Sequence, residues 1–379
     1  MYIKRSLENK ITEYLTAFPV VCITGPRQSG KSTMLQHCLS DDYRYITMDD
    51  NRISSLFYDD PERFLSVYSD KVIIDEVQKA PELFDYLKRA VDNDRDNYGK
   101  YVITGSSQFP LMSKLSETLA GRIGLLTLLP FQFSEIPEYL HQDCIYKGCY
   151  PELVTRDYKL SLDWYSSYVE TYINKDVLSM LNIGDMRDFK RLLKLLASNV
   201  SQQLNMSTLA TNIGVSVPTV KRWISVLEAS YIIHLLPPFY QNYGKRVTRA
   251  PKVYFCDTGL AAFLCGIDTF SAYDNGPLAG PLFENYIVME CMKREDHTGS
   301  HADFYYYRTN HGAEIDLIIE KRDKLEFIEI KKSMTFKKAM VNHLDKLGKP
   351  ADKRTLIYNG EDFPYGDDIQ IKNYKHYLM

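Results

Sequence analysis

The stretch GPRQSGKS at residues 25–32, directly after the apolar run VVCIT at 20–24, is the strongest constraint in the sequence. Gly25, Gly30, Lys31 and Ser32 satisfy G-x-x-x-x-G-K-[ST], the pattern of a loop that wraps a phosphate. The glycines let the backbone approach the anion, and successive N–H groups and the following helix N-terminus attract it. An apolar strand before and the helical STMLQHCL after make one strand–loop–helix unit. Gly25, Pro26, Arg27, Gln28, Ser29, Gly30, Lys31, Ser32 and Thr33 are therefore expected to line a nucleotide. Lys31 reaches the β- and γ-phosphates and the Ser32 hydroxyl is placed to ligate Mg²⁺.

The rest of the N-terminal region supports this unit. YRYITM (43–48), KVIIDE (71–76), KYVITGS (100–106) and LLTLLPFQF (125–133) read as strands, with helices over 6–17 and 81–92. Short apolar strands alternating with helices predict an α/β fold, a parallel sheet covered on both faces, over residues 1–137. In KVIIDE, Asp75 is expected to hold Mg²⁺ through water and Glu76 to polarise an attacking water; the plain alternative is a polar strand end. Ser106 sits at a third strand tip, as a γ-phosphate sensor or part of a serine-rich turn, with Thr104 and Ser107 as less favoured candidates for the same role. Arg122 in LAGRIG is an arginine-finger candidate or a surface arginine. The guanine-reading N-K-x-D is absent, so adenine is favoured by elimination.

A chain of 379 residues is too long for one ordinary core, and two or three domains are expected. The net charge of −3 excludes a nucleic-acid signature for the whole molecule, leaving a local basic stretch at 331–354, which reads equally as a solvated helical face. Seven scattered cysteines, without a C-x-x-C pair, suggest neither a disulfide framework nor structural zinc. MYIKRSLENK lacks an apolar signal region, and no run of about 18 apolar residues occurs, so a cytoplasmic location and no membrane partner are expected.

Residues 138–236 read as a helical lid with a winged-helix-like segment. LATNIGVSVPTVKRWISVLE (209–228) has helix-turn-helix spacing, with Gly214 at the turn and Lys221 and Arg222 on the second helix. Docking in a DNA groove and a protein-facing or lid element are both compatible with it. Residues 237–379 carry an α+β pattern. Within it, EIDLIIEKRDKLEFIEIKK reads as a hairpin. A turn at 321–324 sets Ile319 against Glu326 and Asp316 against Glu329. Lys331 shares a face with Glu329. Asp316, Glu329 and Lys331 then resemble the D…E-x-K core of PD-(D/E)xK nucleases. In that family two carboxylates hold Mg²⁺ and the lysine activates water. Glu284, on the helical LFENYIVME, is similar to the helix acid of that family. The alternative is a cross-strand ion pair between Lys331 and Glu314.

ITGPRQSGKSTML, VIIDEVQKAPELFDYLK and YVITGSSQFPLMSKLSETLAGR resemble the prokaryotic AAA-type ATPases that carry a C-terminal domain of uncharacterised function. LPPFYQN, APKVYFCDTGL, GAEIDLIIE and LEFIEIKKS resemble that C-terminal domain. The resemblance implies ATP and Mg²⁺, phosphate and metal binding by Lys31 and Ser32, and metal binding and water activation by Asp75 and Glu76. Arg122 falls at the family's G-R position. The expected function is Mg²⁺-dependent ATP hydrolysis coupled to DNA or RNA binding or cleavage by the C-terminal domain. The alternative is a nucleotide-gated module for a protein partner or homo-oligomer, with a catalytically silent nuclease-like domain. A small-molecule kinase is disfavoured, because no compact acceptor-binding lid is evident.

Overall fold

The computed structural model describes residues 2–105, 118–172, 186–239, 250–309, 312–322, 324–346, 352–366 and 368–379. The chain divides into two compact units: Met1–Phe131 with Ala229–Tyr231 and Asp296–Ser300, and the remainder. Among the described residues no helix is long and apolar enough to cross a membrane.

The first unit is built on strands β1 (Val20–Thr24), β2 (Arg44–Thr47), β3 (Val72–Asp75), β4 (Tyr101–Thr104) and β5 (Ile123–Thr127). They form one sheet in the order β2-β3-β4-β1-β5, and every pairing is parallel. Helices α1 (Glu8–Leu15), α2 (Lys31–Cys38), α3 (Asn51–Asp59), α4 (Pro61–Val67) and α5 (Leu83–Asp92) cover it. Consecutive strand residues point to opposite faces. Val21, Ile23, Ile73 and Val102 accordingly pack with Ile11, Met34 and Leu35 of α1 and α2. Val20, Cys22, Ile74 and Ile103 pack with Phe57, Phe64, Phe84 and Leu87 of α3–α5. Two covered faces are why VVCIT and VIID show no polar alternation. The strand expected at 125–133 starts at Ile123 and stops at Thr127. β5 lies at the sheet edge and pairs with β1, which ends at Thr24 and turns into the glycine loop, so the ladder stops with Leu128 N on Thr24 O.

In the second unit, α6 (Ser161–Tyr168), α7 (Met186–Ser198), α8 (Met206–Ile213) and α9 (Val217–Ala229) precede a two-stranded pair, β6 (Ile233–Leu236) antiparallel to β7 (Lys252–Phe255). Asn205 caps α8 by accepting from Thr208 N. Gly214, at φ +89°, ends it, with its N–H on Ala210 O at 2.9 Å. Ala210 and Val220 are buried, whereas Lys221 and Arg222 are exposed. Helices α10 (Thr258–Leu264) and α11 (Ala279–Thr298) follow. Then come β8 (Asp303–Arg308), β9 (Glu314–Lys321), β10 (Lys324–Lys331), β11 (Lys353–Tyr358), β12 (Phe363–Tyr365) and β13 (Ile369–Asn373). These six make a mixed sheet in the order β12-β13-β11-β10-β9-β8. The β9–β10 hairpin has the expected register, with Leu325 opposite Glu320 and Glu326 opposite Ile319.

Asp257 is a polar keystone of this unit. Its buried carboxylate accepts from Cys149 N at 2.7 Å, Tyr165 Oη at 2.6 Å and Leu260 N at 3.1 Å, the last as N-cap of α10. Asp257→Ala removes the cap and leaves the Cys149 amide unpaired. It should destabilise this unit by about 2–4 kcal/mol. Both tryptophans, Trp164 and Trp223, lie in the second unit, so urea unfolding followed by their fluorescence reads this directly. An unchanged midpoint would contradict it.

Candidate functional site

The phosphate-type loop leaves the C-terminal end of β1 and enters α2 at Lys31. Gly25 has φ +139°, and a side chain there would collide with Leu128 O. Gly30, at φ +91°, is the N-cap residue of α2. Both glycines are thus demanded by backbone shape. The first amides of α2 have no acceptor within the helix and remain available to an anion. Lys31 is buried, and its Nζ donates to Gly25 O at 2.9 Å and Pro26 O at 2.8 Å. Burial pushes its pKa down to about 8, with Glu76 and Asp75 acting in the opposite direction. Ser29 Oγ is buried without a hydrogen-bond partner among the described residues. Behind the loop, Arg5 is 3% exposed; it donates to Ser29 O at 2.8 Å and Leu129 O at 2.7 Å, with its guanidinium over the Phe131 ring.

The sheet order brings further polar groups to the same strand ends. Asp75, the last residue of β3, is buried and accepts from Ser32 Oγ at 2.6 Å. It also accepts from the hydroxyls of Tyr45 and Thr104, the latter on β4, between β3 and β1. Ser32 and Asp75 offer hydroxyl and carboxylate oxygens side by side, a donor set that suits Mg²⁺. Glu76 follows at φ +56°, unusual for a non-glycine residue, and accepts from the Gln78 side-chain amide. Lys31, Ser32, Asp75 and Glu76 are therefore brought together, joined by Thr104, a less favoured γ-phosphate candidate in the sequence, and by Tyr45 and Gln78, which motif reading did not single out. Ser106 lies outside the described residues.

Arg122 stands apart from the glycine loop of its own chain. Ile123 of β5 stands opposite Val20, the first residue of β1, and Thr127 opposite Thr24. Arg122 therefore sits at the N-terminal ends of the strands, roughly 16 Å along the sheet from the tips that carry the loop. Its Nε donates to Asp92 Oδ1 at 2.6 Å. This placement excludes a contact with a phosphate held by its own chain's loop.

In the second unit the expected carboxylates do converge, but on lysines. Lys331 Nζ lies 2.8 Å from Asp316 Oδ2 and 2.7 Å from Glu329 Oε2. The Ile330 amide also donates to Asp316 Oδ2 at 2.9 Å. Glu284 pairs with Lys252 at 3.0 Å and accepts from Tyr254 Oη at 2.7 Å. The cross-strand pair considered for Lys331 is not formed; Glu314 instead pairs with Lys252 at 2.7 Å. Lys252 is 1% exposed and also stands 4.0 Å from Asp316 Oδ1. Burial and then the charge of Asp316 push Glu329 up to about 9 and Glu284 up to about 7. Burial works against ionised Asp316, but Lys331 and Lys252 outweigh it and hold its carboxyl below the usual value.

Glu284, Asp316 and Glu329, expected as metal ligands, stand in a lysine-bridged cluster. Ammonium groups hold the positions between carboxylates where a cation was anticipated. Among the described residues no group of three or more His, Cys, Asp or Glu side chains is arranged to hold a metal ion. Lys252 is the residue the sequence reading missed. Its signal is a lysine inside KVYF, whose four residues are all buried.

Residues 17–137 match the family of AAA domains, residues 138–271 a domain of unknown function (DUF8612) and residues 279–377 a second domain of unknown function (DUF4143). An uncharacterized protein of Mycobacterium tuberculosis is 29% identical over 371 residues, covering 97% of this chain and 82% of that protein. An uncharacterized protein of Methanocaldococcus jannaschii is 22% identical over 398 residues, covering 94% and 85%. Among solved structures, a Walker-type ATPase of Pyrococcus abyssi is similar over 68% of this chain and 94% of its own, at 15% identity and a TM-score of 0.47. The N-terminal region is an AAA-type P-loop domain on a parallel α/β core.

The lysine-bridged cluster has a pH signature. Glu284 titrates above the ordinary carboxylate range, so its ionisation costs stability as pH rises towards 7. Lys252 opposes that shift. Lys252→Met should therefore push the window upward and destabilise by about 3–5 kcal/mol at pH 8, where carboxylates are left unpaired. The loss should shrink towards pH 5.5, where Glu284 takes up a proton. Urea unfolding at both pH values checks this; a loss independent of pH would contradict it.

Proposed function

We propose that the chain is a Mg²⁺-dependent ATPase. The observation that supports this most is the 2.6 Å contact between the Ser32 hydroxyl and the Asp75 carboxylate, beside Lys31 in its glycine loop. Lys31 exchanges its loop carbonyls for the β- and γ-phosphate oxygens, whose charge suits a buried ammonium. Ser32 and Asp75 are the residues to hold Mg²⁺, which when bound neutralises developing charge on the phosphates. Glu76 orients and deprotonates the attacking water. Its left-handed backbone is the kind of local strain that collects at functional sites. Ser106 completes the site as a γ-phosphate sensor. Arg122 is left to act on a neighbouring copy, because its own loop is at the opposite strand ends.

Hydrolysis is coupled to an action of the later regions. One reading directs it at DNA or RNA, through a winged-helix arrangement of α8, α9 and the β6–β7 pair with Lys221 and Arg222 exposed, and through cleavage at a nuclease-like C-terminal domain. The second makes the C-terminal domain a catalytically silent, nucleotide-gated module for a protein partner or a second copy. The lysine bridging of Asp316, Glu329 and Glu284 favours the second reading. The ATPase rate with and without single- and double-stranded DNA or RNA separates them: stimulation supports the first and indifference the second.

Two substitutions test the ATPase itself. Lys31→Ala should weaken ATP binding at least about tenfold, from the loss of a charge-assisted phosphate contact. Glu76→Gln should leave ATP affinity within a few-fold while slowing hydrolysis by about 10²–10⁴. Calorimetric titration and phosphate release read the two effects. Unchanged binding in folded Lys31→Ala, or unchanged turnover in Glu76→Gln, contradicts the corresponding assignment.

A further inference from the structure

We infer that Arg5, twenty residues before the glycine motif, is a positioning residue that fixes the orientation of the phosphate loop. This rests on the ATP-binding reading above. The planar guanidinium reaches two backbone carbonyls, Ser29 O inside the loop and Leu129 O beyond β5. In a trans peptide the C=O and N–H point in opposite directions. Holding Ser29 O back on Arg5 therefore turns the Gly30 N–H the other way, away from the guanidinium and out of the loop's rear. A phosphate cradle consists of such outward-facing amides.

Gly30 has a left-handed φ of +91° and no side chain, so without a restraint this peptide is among the easiest in the chain to rotate. The neighbouring contacts make the restraint stiff. Leu128 N donates to Thr24 O at 2.8 Å, tying the segment behind the loop to the end of β1. Gly25 packs so closely on Leu128 O that no side chain fits between them. Arg5 fastens the next carbonyl of that segment, Leu129 O, to the far limb of the loop. Its burial against Phe131 fixes the fork itself. Lysine offers a single ammonium in place of a planar fork and cannot hold two carbonyls in the same fixed geometry.

Arg5 is not placed to touch the nucleotide, and its effect is on affinity. Arg5→Met should weaken ATP and ADP binding about tenfold, the worth of one misdirected amide–phosphate contact. KM for ATP should rise to match while kcat is largely retained, and Arg5→Lys should fall between wild type and Arg5→Met. The experiment titrates a fluorescent ATP analogue into the full-length wild type, Arg5→Met and Arg5→Lys, below the melting onset of each, with steady-state hydrolysis alongside. Arg5→Lys keeps charge and most of the bulk, so it carries the test if Arg5→Met does not fold. A variant that melts earlier yet binds the analogue with wild-type affinity overturns the positioning role and leaves Arg5 a stabilising residue. A wild type that fails to bind the analogue instead overturns the ATP-binding reading itself.

Discussion

The hydrogen bond from Ser32 to Asp75 joins the first turn of α2 to the tip of a strand two places away in the sheet. It exists only if β1, β4 and β3 run parallel with their C-terminal ends level. A hydrogen bond to a carboxylate contributes about 1.5–3 kcal/mol. Burying even one large apolar side chain contributes about as much, and the two faces of this sheet bury well over a dozen. The apolar packing therefore sets the geometry, and the polar contact is its consequence. The loop glycines, Lys31, Thr104 and Glu76 depend on the same alignment, because each leaves a strand at that edge.

The Asp75 site and the C-terminal cluster treat their carboxylates in opposite ways. In the first, Asp75 meets three hydroxyls, from Ser32, Tyr45 and Thr104, none of which carries a compensating charge. In the second, Asp316, Glu329, Glu284 and Glu314 meet two ammonium groups. A carboxylate surrounded by neutral donors keeps its attraction for a cation, whereas one already paired with lysine has much of it satisfied. A buried ion pair is weak evidence for stability, since desolvation offsets most of the Coulomb gain. The lysine-bridged cluster is better understood as fixing how β7, α11 and the β9–β10 hairpin meet.

Much of the first unit was legible because its signals are local. Two covered faces force unbroken apolar strands, and the loop motif is continuous in sequence. The C-terminal hairpin register was legible for the same reason: a short turn fixes all pairs along two adjacent strands. Long-range placements were not. Nothing in APKVYF says that Lys252 will meet Glu284 and Glu314, which lie 32 and 62 positions later. Arg122 stood as an arginine-finger candidate on its G-R position, beside the plainer reading of a surface arginine. Only the β1–β5 register shows that it enters the sheet at the end opposite its own chain's loop. The strand expected to run through Phe133 stops at Thr127 because its partner β1 ends at Thr24, a long-range pairing that the apolar run itself does not reveal.

The central claim is that the Ser32–Asp75 pair and its loop form a Mg²⁺-assisted ATP site. The most direct measurement is an equilibrium titration of ATP into wild type and Asp75→Asn, each with Mg²⁺ and with EDTA. An ATP site of this kind binds more tightly when Mg²⁺ is present in the wild type, and Asp75→Asn loses most of that gain while remaining folded. Equal affinity with Mg²⁺ and EDTA in the wild type, unaltered by Asp75→Asn, would contradict it.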